Sequence, residues 1–168
     1  ANGPRDQEGV DPVFFRSAGP VRGIKRDLYE GGIRSPMIVR WKGKIQPGQT
    51  SDQVWAAWDV FPTLTELAGL KVPLGLDGES MVEPLLNGKI KKHAPLYWEF
   101  HEKGFHQAAR MGDWKAVRHG VDAPLELYDL SIDPGETQDV SSSNRRMIKK
   151  IESYLASARS DSREWPLP

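Results

Sequence analysis

The chain contains no cysteine, which excludes disulfides, thiolate zinc sites and a cysteine nucleophile within it. It has no excess charge of either sign. Lys plus Arg and Asp plus Glu both number 23, a balance that argues against a nucleic-acid footprint, which needs a clear basic excess or stripe. No apolar run approaches the ~20 residues that span a bilayer. No basic-then-apolar leader stands at the start, so an export signal is expected either outside this chain or not at all. Internal repeats and low-complexity tracts are also lacking. What remains is a 168-residue chain that is 38% hydrophobic and 27% charged, enough for one domain with a core, or one domain plus part of another.

Residues 1–20 show little periodicity and read as a long loop with one apolar anchor around Phe14-Phe15. The apolar run 37–41, bounded by Pro36 and Lys42-Gly43, reads as a buried strand. Asp59 then offers an N-cap with Pro62 in the first turn, Leu64, Leu67 and Ala68 supply helical spacing, and Gly69 closes the helix. A second helix is predicted over 79–86, ended by Asn87-Gly88. From residue 95 the pattern alternates with period two, predicting strands over 96–100, 107–111, 114–118 and 125–130. Gly112-Asp113 has the length of a two-residue hairpin turn. Met147, Ile148, Ile151, Tyr154, Leu155 and Ala158 form one apolar stripe on a helix over 144–158, with Ser143 or Asn144 able to cap it. The fold class expected is therefore α+β: a four-stranded antiparallel sheet covered by a C-terminal helix.

The stretch 23–36 concentrates chemistry. Lys25, Tyr29 and Glu30 precede the pair Gly31-Gly32, which permits positive φ and close backbone approach. A lysine ahead of such a turn can hold its compact charge over an anion; a hairpin with a solvated lysine is the competing reading. Glu30 is expected to be structural, capping the turn or pairing with Lys25 or Arg34. His101 and His106 bracket the link between the first two sheet strands, where a histidine can donate to a sugar hydroxyl or an anion; solvated loop residues are the alternative. His93 and His119 read as surface residues, and Trp98, Trp114 and Tyr128 as core.

Longer words surround Lys25. The pattern K-x-x-x-Y-E-G-G-x-R-x-P runs over 25–36. Asn2-Gly3 matches the end of S-D-N-G, Asp59-Val60-Phe61-Pro62-Thr63-Leu64 matches D-x-x-P-T-L, and Leu76-Asp77-Gly78-Glu79-Ser80 matches L-D-G-x-S. Leu127-Tyr128-Asp129-Leu130 with Asp133-Pro134-Gly135-Glu136 matches L-Y-D-L…D-P-x-E. In this order the motifs resemble the sulfatase family, arylsulfatase-type sulfuric ester hydrolases of the alkaline-phosphatase-like superfamily, over their C-terminal portion only.

The resemblance implies a division into residues 1–90, the truncated end of an α/β alkaline-phosphatase-like catalytic domain, and 91–168, the sulfatase C-terminal subdomain. It implies that Lys25 is catalytic and substrate-binding, holding a sulfate oxygen and steadying charge in the transition state, with His101 and His106 as further substrate-binding candidates. Asn2 would be a metal ligand, although Ala1 stands where the family has an Asp. Ca²⁺ is implied for the intact parent and none is expected on this chain alone. The family's nucleophile, a formylglycine made from C/S-x-P-x-R, has no precursor here, so the chain is expected to be inactive by itself. Implied partners are a sulfated small molecule or glycan in the parent, no nucleic acid and no membrane, with dimerisation through surface exposed by truncation; the parent is implied to be periplasmic or secreted. Two alternatives stay open: part of a phosphate or phosphonate ester hydrolase of the same superfamily, and a non-catalytic binding module.

Overall fold

A computed structural model describes residue 11, residues 14–102 and residues 104–168. The described chain forms two compact units, one of residues up to 36 with 95–168, the other of 37–94.

The first unit is built on an antiparallel sheet of β1 (Leu96–Phe100), β2 (His106–Met111), β3 (Trp114–His119) and β4 (Glu126–Asp129) in the order β1-β2-β3-β4. Met111 pairs with Trp114 across the β2–β3 turn. Gly112 takes φ +63° there, a first turn position that a primed hairpin gives to glycine. Alternation then sorts the side chains onto two faces. On one face Ala109, Ala116 and Leu127 pack against Ile151 and Leu155 of α4 (Arg145–Ala158). The stripe expected from sequence is the stripe buried, and the predicted α+β sheet with its helical cover is the observed fold. Neither Ser143 nor Asn144 caps α4 through its side chain; the Asn144 amide turns back to donate to the Val140 carbonyl at 2.9 Å.

The opposite face is also covered. Ala108, Val117 and Tyr128 pack against Leu28 and Tyr29, with Ile33, Trp98 and Phe100 beside them. The lysine-bearing segment is thus the sheet's second lid, and α1 (Glu30–Ile33) is a single turn within it. Small residues at 108, 109 and 116 let both covers approach the central strands closely.

In the second unit α2 spans Val60–Leu67 and α3 Val82–Asn87. Gly69 and Gly88, at φ +74° and +68°, end them in the left-handed conformation. Asp59 sits at the N-cap position but makes no cap. Its carboxylate instead accepts from the N–H groups of Ala56 (2.7 Å) and Glu79 (2.9 Å). It also meets His93 Nε2 at 2.8 Å. His93 is therefore no surface residue: its side chain is 5% exposed. Glu79 and Ser80 are spent on this junction, which starts α3 later than expected. Residues 37–41 form no strand. Met37, Ile38, Val39 and Trp41 remain 49%, 94%, 40% and 40% exposed. A strand needs a paired neighbour for its N–H and C=O groups, and no strand lies within residues 37–94 among those described.

Truncating Ile151 to Ala should cost about 2–5 kcal/mol, as for other fully buried aliphatic side chains. A urea titration of the variant against wild type measures it.

Candidate functional site

The segment after residue 21 turns back on itself through Gly23 (φ +91°) and Arg26 (φ +82°). Asp27 Oδ2 accepts the Ile24 N–H at 2.8 Å, and the Gly31 N–H donates to the Arg22 carbonyl at 2.6 Å, closing the loop. The two adjacent glycines are required here for one of the two reasons anticipated. Neither has positive φ. Both are pressed against backbone: a Cβ on Gly31 would overlap the carbonyl oxygens of Arg22 and Gly23, and one on Gly32 those of Asp27 and Ile24. Close approach, not a left-handed conformation, selects glycine.

Glu30 is structural, as expected; the anticipated Arg34 is a distant partner, and the closest one, Lys115, is not suggested by the sequence. Its Oε1 lies 2.8 Å from Lys115 Nζ, and its Oε2 lies 3.7 Å from Arg110 and 3.9 Å from Arg34. Lys115 projects from β3 onto the covered face, is fully buried, and also faces Glu136 Oε1 at 3.3 Å. Glu136 is equally buried, and its Oε2 accepts the Glu30 N–H at 2.6 Å. Burial pushes the Glu136 carboxyl above its usual range, opposed by Lys115 and that N–H.

Beside this buried cluster lies a cleft of about 640 Å³ walled by Ser17, Ala18, Lys25, Gly31, Gly32 and Arg34, among others. Lys25 is exposed and makes no hydrogen bond or ion pair among the described residues. The Glu30 carboxylate at the cleft wall is engaged with Lys115. What the cleft offers is a free ammonium, a guanidinium and a close-packed glycine turn, an arrangement suited to an anion.

A second polar chain runs along the same sheet face. Tyr29 and Tyr128 both donate to Glu126 Oε2 at 2.6 Å. Burial, reinforced by Glu126, raises both hydroxyl pKa values, so they stay protonated donors. Arg22 donates to the Tyr128 hydroxyl at 2.7 Å and stacks 3.8 Å over the Tyr29 ring. The Tyr29 hydroxyl, its one proton committed, meets His119 Nε2 at 2.9 Å, and His119 Nδ1 meets His106 Nδ1 at 2.8 Å. With both imidazoles neutral, donor counting assigns the protons: His119 Nε2–H donates to Tyr29, and His106 Nδ1–H to His119. His119, expected as a plain surface residue, is exposed but bonded at both nitrogens.

The sequence-derived candidates separate. Lys25 lines the cleft. His106 joins the tyrosine chain, whereas His101 meets Glu99 at 3.2 Å and packs on Phe105 and Trp165. The loop between these histidines is tied to the lysine turn by Arg26 and Glu102, 2.7 Å apart. Asn2 lies outside the described residues. Among the described residues no three His, Asp or Glu side chains form a group able to hold a metal. The residues that sequence reasoning missed, Arg22, Lys115, Glu126 and Glu136, announce themselves by no local pattern; only Glu136, inside a quoted motif, carried a signal.

Residues 24–161 match the family model described as N-sulphoglucosamine sulphohydrolase, C-terminal. The chain belongs to that family. Among curated sulfatases, it is 28% identical to the N-acetylgalactosamine-6-O-sulfatase of Bacteroides thetaiotaomicron, over 94% of this chain and 35% of that one. It is 31% identical to an uncharacterized sulfatase of Schizosaccharomyces pombe, over 80% and 26%. Among solved structures it superposes on Ps i-CgsB in complex with k-i-k-neocarrahexaose with a TM-score of 0.69, at 32% identity over 77% of this chain and 29% of that one. A Bacteroides thetaiotaomicron protein, solved in work on the metabolism of multiple glycosaminoglycans, superposes with a TM-score of 0.74, at 27% identity over 94% and 37%. The chain therefore spans between 26% and 37% of the length of these relatives. The four-stranded sheet with its helix is the sulfatase C-terminal architecture within an alkaline-phosphatase-like fold.

Two outcomes follow for this sulfatase segment. Lys115→Met leaves two buried carboxylates facing an apolar chain and should cost about 3–5 kcal/mol, read from denaturant unfolding. His106 is held below its ordinary 6.5 by burial and then by the charge of His119, with Asp27 pulling the other way. The unfolded chain then binds the proton more readily. The stability contributed by neutral His106 is complete above pH about 6.5 and is lost as pH falls through its lower folded value. His106→Gln should flatten the urea-midpoint profile between about pH 7 and 5; an unchanged slope contradicts this.

Proposed function

We propose that this chain is the C-terminal part of a sulfuric ester hydrolase, in which the Lys25 ammonium binds the sulfate group and the cleft beside it forms one wall of the active site. The observation that carries this is an unpaired, exposed lysine held on a rigid glycine turn in a cleft, within a motif shared with sulfatases. In such an enzyme Lys25 contacts a sulfate oxygen and opposes the charge that develops there as the ester bond breaks. His101 and His106 bracket the loop tied to the same turn and would meet the remainder of the substrate. A sulfated saccharide is the substrate class best supported: one relative is named for N-acetylgalactosamine 6-O-sulfate, and one similar structure holds k-i-k-neocarrahexaose.

The nucleophile and most of the metal site would come from outside this chain. Asn2 offers a single amide oxygen toward Ca²⁺, which takes six to eight oxygen ligands; by itself that does not constitute a calcium site. Residues 1–90 would complete an α/β catalytic domain and 91–168 form the C-terminal subdomain. The exposed run at 37–41 fits a strand whose partners lie elsewhere in the enzyme, and in the isolated chain it favours self-association. A periplasmic or secreted parent accords with this reading.

The isolated chain should hydrolyse no aryl sulfate, with or without calcium. In the enzyme that carries this segment, Lys25→Ala should reduce kcat by about 10²–10³-fold, the loss typical of one preorganised donor. Steady-state kinetics on an aryl sulfate tests both. Turnover by the isolated chain, or an enzyme indifferent to Lys25→Ala, defeats the reading.

A further inference from the structure

We propose that Glu136 is a positioning residue for Lys25, clasping both ends of the turn that presents the ammonium; this rests on the sulfatase reading above. Lys25 has no side-chain partner among the described residues, so its Nζ is placed by the backbone of the turn that follows Arg22 and ends at Glu30. Glu136 holds both boundaries. Its main-chain carbonyl accepts from Arg22 Nη1 at 3.3 Å, and its carboxylate Oε2 accepts the Glu30 N–H at 2.6 Å.

The geometry of Glu136 is otherwise hard to account for. It is fully buried, adopts φ +53°, and its Oε1 receives no hydrogen bond among the described residues. A left-handed backbone at a non-glycine residue and a buried carboxylate are each unfavourable. The turn before it is built to impose both. Asp133 Oδ2 accepts the N–H groups of Thr137 (2.8 Å) and Gln138 (2.9 Å), and the Glu136 N–H donates to the Asp133 carbonyl at 3.1 Å. The D-P-x-E words thereby drive Glu136 inward, and Lys115 lies beside Oε1 to offset its charge. A surface turn needs no such device; a turn whose tip must be held for chemistry does.

The test uses the intact enzyme carrying this chain, an aryl sulfate, and amide hydrogen exchange. Glu136→Met keeps the side-chain length and removes the acceptor, so kcat should fall about 10²-fold, the effect of roughly an ångström of misplacement. Glu136→Gln retains one acceptor and should restore most of it. Lys25→Ala combined with Glu136→Met should be no slower than Lys25→Ala alone, because Glu136 acts through Lys25. The Glu30 amide should exchange faster in Glu136→Met while those of Ala109 and Ala116 keep their rates. If Glu136→Met does not fold, Arg22→Gln opens the other half of the clasp from a side chain that is 43% exposed, with the same non-additivity expected. Independent, multiplying losses overturn the proposal, as does an unchanged Glu30 amide. A neutral Lys25→Ala with accelerated Glu30 exchange instead overturns the sulfatase role of Lys25 and leaves the clasp as a purely structural device.

Discussion

The buried ammonium of Lys115, set between Glu30 and Glu136, is the interaction on which the rest of this structure depends. A charge removed from water is tolerated only with well-placed partners of opposite sign. Here those partners lie 85 residues before Lys115 in the chain and 21 residues after it, at 2.8 and 3.3 Å. Two carboxylates outnumber one ammonium, and Arg110 and Arg34 approach the far oxygen of Glu30 to balance the remainder. Such a cluster need not add much net stability over an apolar core. Its effect in the structure is to tie the 22–34 segment to β3 and to the Glu136 turn through Glu30.

That docking decides where the lysine turn sits. One face of the sheet is filled by α4, so the second face is the surface on which the lysine turn can be seated. Leu28 and Tyr29 anchor it by apolar contact, and the tyrosine–glutamate–histidine chain extends the contact to the far ends of β2 and β3. The cleft lies beside the turn, lined by Lys25, Glu30 and Arg34, and Lys25 has no side-chain partner among the described residues.

In the 37–94 unit the sulfatase words serve structure in the same way. Asp59 of D-x-x-P-T-L gathers the N–H groups of Ala56 and Glu79 with the ring of His93. Thr63 donates to the Asp59 carbonyl and accepts the Met81 N–H. Gly78 of L-D-G-x-S lies where a Cβ would overlap the Trp58 carbonyl. Two motifs nearly twenty residues apart are halves of one knot.

The strand-like runs from Leu96 to Asp129 and the apolar stripe from Met147 to Leu155 were enough to write down the sheet and its helix. Burial on one face imposes the helical period, whereas the sheet is covered on both faces and its central strands are buried at consecutive positions. The lysine motif and its family were legible too, since close-packed glycines and a fixed ion cluster tolerate few alternatives. Helix starts were less so: Asp59 and Asn144 are good caps by type, but their side chains had better partners elsewhere in the fold. Residues 37–41 have a strand's composition yet no strand to pair with. The identity of Glu30's partner, the inward aim of Glu136 and the burial of His93 lay beyond reach, because each depends on residues dozens of positions apart meeting in space. Sequence by itself determined the periodic elements, the glycine turn and the candidate lysine. Tertiary structure alone decided which charges were buried together, because pairing of charges is a property of distance in space and not of separation along the chain.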